Sequence, residues 1–96
     1  MPRNDGRVCV YCGAVADLTI DHVVPLSRWR EFRLRRRVLD NESNRVLACA
    51  RCNFEKGRLS PREWLARHPE FERRFRSCAR YLSDDVKRAL GWGPRR

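Results

Sequence analysis

The sequence predicts a small α+β domain with a four-cysteine metal site and C-terminal helices. Three observations lead to this prediction: two Cys-x2-Cys pairs, two short β-prone runs, and several helix-start signals in the second half of the chain. Two thiols spaced by two residues can face one metal ion, and four thiolates complete a tetrahedral zinc site. The predicted zinc ligands are Cys9, Cys12, Cys49 and Cys52.

The length of the chain, 96 residues, predicts a single domain over residues 1–96. We place its core at about 7–59 and a helical extension at about 60–91. A domain of this size buries a small apolar core, so a metal ion is a common source of additional stability. The fifth cysteine, Cys78, lies on an apolar helix stripe, which indicates a buried structural thiol and not a ligand.

The charge of the chain indicates a polyanionic partner. Lys and Arg number 22 against 12 Asp and Glu, which gives a formal net charge of +10. A cationic field of this strength attracts nucleic acid. The alternative is that the arginines reflect coding bias and a well-solvated surface, and charge alone indicates no sequence preference.

The N-terminal residues and the hydropathy pattern predict where the protein is found. The first seven residues are polar and charged, so we expect no signal peptide, and no apolar run is long enough to span a membrane. We therefore expect a cytoplasmic protein without a membrane partner. The reducing cytoplasm favours zinc thiolates over disulfides.

Two short strands are predicted to carry polar residues of interest. Leu18–Ile20 and Arg45–Ala48 are β-prone, and Pro25 prevents the first run from continuing as a central strand. Asp21 and His22 are thus expected at a strand end. Neighbours on an ideal strand point to opposite faces, so these two side chains share one site only if the backbone departs from regular β geometry there.

The segment from Leu26 to Leu39 is rich in arginine, and its apolar positions fit neither the helical nor the strand period. It is expected to form either a helical turn or an irregular loop. Its arginine cluster either grips a DNA backbone or is solvated, and we favour contact with DNA. The predicted contacts in this cluster are Arg33, Arg35, Arg36 and Arg37.

The second half of the chain predicts helices. The run Asn53–Lys56 suits a short helix closed by Gly57. Ser60-Pro61-Arg62-Glu63 combines a cap residue, a proline at the first helical position and a glutamate three residues after the cap. Another helix is predicted from Pro69, and a last one from Ser83. The apolar stripe of the Pro69 helix is expected to contain Phe71, Phe75, Cys78 and Leu82.

Taken together, the motifs resemble a known family. Cys-x2-Cys, then Asp-His-Val-Val-Pro at 21–25, then Asn44, then Cys-x2-Cys-Asn-x2-Lys-Gly is similar to the zinc-stapled branch of the HNH endonucleases. The resemblance covers Cys9 to Gly57 and includes the nine-residue spacing from Asn44 to Asn53. It implies a ββα-metal fold.

The resemblance also implies a role for each residue of the site. His22 activates water as the general base, while Asp21 and Asn53 hold a catalytic Mg²⁺ or Mn²⁺ against the scissile phosphate. Asn44 holds the loop and helps to fix His22. These roles agree with the side-chain chemistry, because imidazole is neutral near pH 7 and hard oxygen ligands suit Mg²⁺. Lys56 and Arg58 follow Asn53 closely enough in sequence to contact a flanking phosphate.

Three functions remain open at this stage. The first is a metal-dependent HNH endonuclease that nicks or cleaves double-stranded DNA with little sequence readout of its own, with a protein partner or an oligomer left open as the source of specificity. The second is a zinc-stapled nucleic-acid-binding module that is catalytically silent. The third is a protein-interaction zinc domain, which the strong positive charge fits poorly.

Overall fold

A computed structural model describes residues 7–92 of the chain. Two strands, β1 (Leu18–His22) and β2 (Arg45–Cys49), form the only sheet within those residues. The segment from Met1 to Gly6, which the prediction about a signal peptide concerns, lies outside the described residues. The helices are α1 (Arg36–Leu39), α2 (Ala50–Lys56), α3 (Pro61–Arg67), α4 (Glu72–Cys78) and α5 (Asp84–Ala89), and 3₁₀ turns cover Leu26–Arg28, Glu42–Asn44 and Pro69–Phe71.

The two strands pair in an antiparallel register that runs from Leu18 opposite Cys49 to His22 opposite Arg45. The chain then passes from Cys49 directly into α2, which gives the β–β–α order. Both predicted strands are present, and each is longer than the β-prone run that predicted it. The ladder is regular through Asp21 and His22, so the backbone does not depart from β geometry at this pair.

The first cysteine pair packs against the sheet. The backbone N–H of Val10 donates to the carbonyl of Leu47 on β2 at 2.9 Å, and the N–H of Ala50 donates to Asp17 at 2.8 Å. Gly13 follows the pair with φ +85°, a conformation that a side chain would strain. The loop that carries Cys9 and Cys12 is thereby tied to the junction of β2 and α2.

The arginine-rich segment from Leu26 to Leu39 contains both of the predicted alternatives, since irregular backbone lies between a 3₁₀ turn at Leu26–Arg28 and α1 at Arg36–Leu39. Arg28 anchors it through its guanidinium, which donates to Glu31, to the Arg58 carbonyl at 3.2 Å and to Glu63 at 2.7 Å. Arg33 has φ +57°, which is rare for a residue with a side chain. Apolar side chains of this segment are partly buried against the core, namely Leu26, Trp29, Phe32 and Leu34.

The C-terminal helices pack against the loop of the first cysteine pair through an aromatic cluster. The Tyr11 ring stacks on Phe75 at 5.4 Å and meets Trp64 edge-on at 5.6 Å. The capping box of α3 is present, with Ser60 and Glu63 exchanging hydrogen bonds as predicted. This packing connects the helical extension directly to the first cysteine pair.

The helix predicted from Pro69 is shorter and less regular than its stripe indicated. A 3₁₀ turn precedes α4, and α4 ends at Cys78, so Leu82 reaches the core from the segment after the helix. Cys78 is half-buried, not fully buried. Across residues 7–92, each helix is too short or too polar to cross a bilayer.

Candidate active site and metal centre

The four predicted zinc ligands converge. The Sγ atoms of all four cysteines lie within 4.8 Å of one another, and those of Cys12 and Cys49 are 3.7 Å apart. A tetrahedral zinc with Zn–S bonds of about 2.3 Å places its sulfurs about 3.8 Å apart, so the sulfur geometry fits this ion. Backbone N–H groups of Tyr11 and Cys52 point at the sulfurs of Cys9 and Cys49 at 3.4 Å. The cluster can therefore hold a metal ion such as zinc.

Asp21 points into the protein. Its side chain is 6% exposed; Oδ2 accepts a hydrogen bond from the Tyr11 hydroxyl at 2.8 Å and Oδ1 accepts one from Lys56 Nζ at 3.3 Å. Burial raises the pKa of Asp21, and the Lys56 charge opposes this rise. Burial and the neighbouring carboxylate also raise the pKa of Tyr11, so its phenol stays protonated and donates to Asp21.

Lys56 lies in a different environment from the one expected for a phosphate contact. Its side chain is 1% exposed, and Nζ also donates to the backbone carbonyl of His22 at 2.9 Å. Burial lowers its pKa, opposed by the Asp21 charge. In this conformation the ammonium bridges Asp21 and the end of β1, so it is turned away from any surface-bound phosphate.

His22 leaves β1 on the opposite face from Asp21, as strand alternation requires. Its Nε2 lies 3.1 Å from Oδ1 of Asp40, and the side chain is 25% exposed. The same Oδ1 accepts a hydrogen bond from Arg45 at 2.8 Å, and Arg45 is the residue opposite His22 in the sheet. These two hydrogen bonds, from Arg45 and then from His22, lower the pKa of Asp40.

Asn44 is fully buried and joins the residues just after His22 to the end of α1. Its Oδ1 accepts from the backbone N–H of Val24 at 2.9 Å, and its Nδ2 donates to the carbonyls of Val24 at 3.0 Å and Leu39 at 2.9 Å. Its backbone carbonyl also accepts from Val23 at 2.9 Å. Asn44 thus holds the loop that follows β1 against the end of α1.

Asn53 lies in the middle of α2, over β1. Its Nδ2 donates to the Thr19 hydroxyl at 2.8 Å and to the carbonyl of Ile20 at 3.3 Å. Both contacts use the nitrogen, and the amide oxygen has no hydrogen-bond donor within the described part of the chain. Because Thr19 and Asp21 share a face of β1, Asn53 and Asp21 belong to the same layer between the strand and α2.

The donor chemistry of this layer suits a hard divalent cation, since it offers a carboxylate and a carboxamide oxygen. Asp21 is nevertheless engaged, because its two oxygens already bind Tyr11 and Lys56. A divalent ion at Asp21 would have to take the place of the Lys56 ammonium on Oδ1. The residues therefore fit such an ion on the condition that Lys56 moves away from Asp21.

The predicted arginine contacts lie on the surface. Within residues 7–92 none of them forms an ion pair with a carboxylate, whereas Arg28, Arg45 and Arg51 do. Unpaired guanidinium groups are free to contact phosphate oxygens. The exposed arginines in question are Arg33, Arg35, Arg36, Arg37 and Arg58.

Sequence reasoning missed two residues of the site, Tyr11 and Asp40. Tyr11 lies between the first two cysteines, where its aromatic ring indicates core packing and nothing indicates its hydroxyl contact with Asp21. Asp40 begins an Asp-x-x-x-Asn turn that ends at Asn44, and this spacing was the one available signal. Its contact with His22 depends on the turn folding back over the sheet.

Comparison with known proteins agrees with this geometry. The sequence model of the HNH endonuclease family matches residues 9–59, which is more than half of the chain. No curated protein matches the chain significantly. The matched region contains both cysteine pairs, β1, β2 and α2, with Asp21, His22, Asn44 and Asn53 at the positions described above. This chain belongs to the HNH endonuclease family.

Proposed function

We propose that this domain is a metal-dependent endonuclease that hydrolyses phosphodiester bonds of double-stranded DNA with low sequence specificity. The observation that carries the proposal is the His22 imidazole, which is partly exposed at the end of β1 and hydrogen-bonded to the Asp40 carboxylate. An imidazole in contact with a carboxylate is a common arrangement of a general base. The family match and the net charge of +10 support the choice of substrate.

In this reaction His22 takes a proton from water, and the resulting hydroxide forms a bond to phosphorus. The bond from phosphorus to the leaving oxygen breaks, and that oxygen takes a proton from solvent. Asn44 keeps the loop after His22 in place, while exposed arginines such as Arg58 hold the flanking phosphates. A base in position contributes typically about 10²- to 10⁴-fold to the rate.

Asp21 and Asn53 would hold a Mg²⁺ or Mn²⁺ ion, which supplies positive charge to the phosphate and the leaving oxygen. Zinc at the four cysteines would have a structural role. The first pair sits beside Tyr11, which contacts Asp21, and the second pair brackets the start of α2, which carries Asn53. One ion would thereby stabilise both halves of the active site.

A second function is a zinc-stapled DNA-binding module without catalysis. The buried pair of Asp21 and Lys56 favours this alternative, because a carboxylate neutralised by an internal ammonium has no need of a metal ion. Both functions require the exposed arginines to bind DNA. They differ in whether Lys56 leaves Asp21 when a divalent ion is supplied.

A plasmid-nicking assay with purified protein separates these two functions. We expect nicking that requires Mg²⁺ or Mn²⁺, stops with a chelator and falls at least about 100-fold in His22→Ala, because the base is removed. His22→Ala should retain zinc, its thermal unfolding temperature and its affinity for DNA. DNA binding without a cut under any divalent ion would support the silent module instead.

The exposed arginines are expected to control the salt dependence of DNA binding. The double substitution Arg36→Gln and Arg37→Gln should reduce the slope of log K against log salt by about 0.9 for each lost phosphate contact. The matched control, Arg73→Gln with Arg80→Gln, removes the same charge from exposed positions of the helical extension. Binding measured by fluorescence anisotropy at several salt concentrations gives both slopes. A slope of the Arg36→Gln, Arg37→Gln variant equal to that of the wild type would show that these two arginines do not contact DNA phosphates.

A further inference from the structure

The described contacts of His22 suggest which of its nitrogens serves as the base. Nε2 faces Oδ1 of Asp40 at 3.1 Å, and Nδ1 has no hydrogen-bond partner within residues 7–92. A carboxylate accepts hydrogen bonds and donates none when ionised, so the nitrogen beside it carries the proton. The other nitrogen then keeps its lone pair.

Asp40 is held in place by contacts of its side chain, of its backbone and of the residue before it. Arg45 donates to its Oδ1 at 2.8 Å and to its backbone carbonyl at 3.2 Å. The backbone N–H of Asp40 donates to Arg36 at 2.8 Å, which closes α1. Leu39, the preceding residue, is fully buried, and its carbonyl accepts from Asn44. Asp40 is therefore fixed although its side chain is 53% exposed.

The sheet register explains why Asp40 can meet both partners. His22 and Arg45 are directly opposite each other at the end of the ladder, so their side chains leave on the same face. The carboxylate of Asp40 lies across that pair and accepts from both through one oxygen. An ionised carboxylate is expected there, and the hydrogen bonds from Arg45 and His22 lower its pKa.

We propose that Asp40 is the positioning residue of the catalytic histidine: it binds Nε2–H of His22 and leaves Nδ1 as the atom that takes the proton from water. The inference rests on the proposed endonuclease function. Asp40 touches neither the phosphate nor the water; it sets the orientation of the ring and stabilises the imidazolium that forms. The segment that delivers it is the arginine-rich one that ends in α1, which gives this segment a role in catalysis as well as in DNA binding.

The test compares Asp40→Ala with Glu72→Ala. Both variants remove one exposed carboxylate that is paired with an arginine, and Glu72, paired with Arg76 at 2.9 Å on α4, is not in contact with His22. Loss of a negative charge is not expected to weaken DNA binding, and the Kd for DNA is measured so that a lower rate in Asp40→Ala can be distinguished from poorer affinity. Both substitutions are on the surface, where a variant is expected to fold.

Two quantities are measured, one of which does not depend on cleavage. Proton–nitrogen NMR of uniformly labelled protein should show an Nε2–H proton of His22 that exchanges slowly with water in the wild type and in Glu72→Ala, and that is absent in Asp40→Ala. Single-turnover cleavage should be about 10- to 100-fold slower in Asp40→Ala, with an unchanged Kd for DNA, and unchanged in Glu72→Ala.

Each outcome either supports or overturns the positioning role of Asp40. The proposal is supported if the Asp40→Ala variant both loses the protected Nε2–H proton and cleaves DNA more slowly. A wild type that cleaves DNA without a protected Nε2–H, or an Asp40→Ala variant that cleaves as fast as Glu72→Ala, would overturn the role of Asp40 and leave the endonuclease intact. A protected proton in a wild type that cuts no DNA with any divalent ion would overturn the endonuclease function and the positioning role with it.

Discussion

Replacing Cys52 with serine is expected to remove the proposed structural zinc and unfold the domain. The four sulfurs lie within 4.8 Å of one another, and Cys52 is buried among them. Structural zinc sites have apparent binding free energies of about 10–16 kcal/mol, and a domain of this size is stable by roughly 5–15 kcal/mol in total. The loss of one ligand therefore removes stability comparable to that of the whole fold.

The fifth cysteine provides a matched control for this prediction. Cys78 is half-buried at the end of α4 and takes no part in the cluster, so Cys78→Ser should retain zinc and unfold at nearly the wild-type temperature. Zinc content measured by mass spectrometry, together with thermal unfolding followed by circular dichroism, distinguishes the two variants. A Cys52→Ser protein that stays folded but loses nicking would indicate that the zinc site does more than stabilise the fold.

The two cysteine pairs and the strands could be predicted because their signals are local. A Cys-x2-Cys spacing determines which sulfurs face one ion, and a β-prone run next to a turn predicts a strand without any knowledge of the partner. The same is true of the α3 start, where Ser60 and Glu63 lie in one short stretch and form the expected capping box. These features depend on residues a few positions apart.

The environment of Asp21 could not be predicted, because it depends on three segments that meet only in the folded chain. Tyr11 comes from the cysteine loop and Lys56 from the end of α2, and both reach the face of β1 that strand alternation gives to Asp21. From the sequence alone, a lysine three residues after Asn53 is expected to lie on the surface. Its burial follows from the way α2 packs over β1.

Hydrophobic periodicity could not predict the structure of the arginine-rich segment. Its aromatic residues contact the core one at a time from irregular backbone, so neither a helical nor a strand pattern arises. Its end nevertheless brings Asp40 to His22, a contact set by the sheet register between His22 and Arg45. The irregular backbone that Asp21 and His22 were expected to need for a shared site is not present, because the ladder is regular through both residues. The two side chains leave opposite faces of β1, and each has its own polar partner there.

Substitution of Lys56 by methionine is expected to destabilise the domain strongly. Lys56 and Asp21 are 1% and 6% exposed, and removing one member of a buried ion pair leaves the other charge uncompensated, which typically costs about 3–5 kcal/mol. The matched control, Lys87→Met on α5, removes the same charge from a half-buried position. The double variant Lys56→Met with Asp21→Asn should regain most of the lost stability, since neither charge remains.

Divalent ions turn this variant into a test of the metal site. If Asp21 and Asn53 hold a cation once the ammonium is gone, Mn²⁺ should raise the unfolding temperature of Lys56→Met more than that of the wild type. A ligand at 100 times its Kd stabilises the folded state by about 2.7 kcal/mol, which is readily measured. The double variant lacks the carboxylate, so the same Mn²⁺ concentration should leave its unfolding temperature unchanged.

The comparison also separates the two functions proposed for this domain. In an endonuclease, Lys56 and the catalytic ion compete for Asp21, so removal of the ammonium should increase the affinity for Mn²⁺. In a silent module, the pair of Asp21 and Lys56 is a structural substitute for the ion, and Lys56→Met should be destabilised equally with and without Mn²⁺. A Lys56→Met protein as stable as Lys87→Met in the absence of divalent ions would contradict both readings, because it would show that the buried carboxylate has no need of a cation.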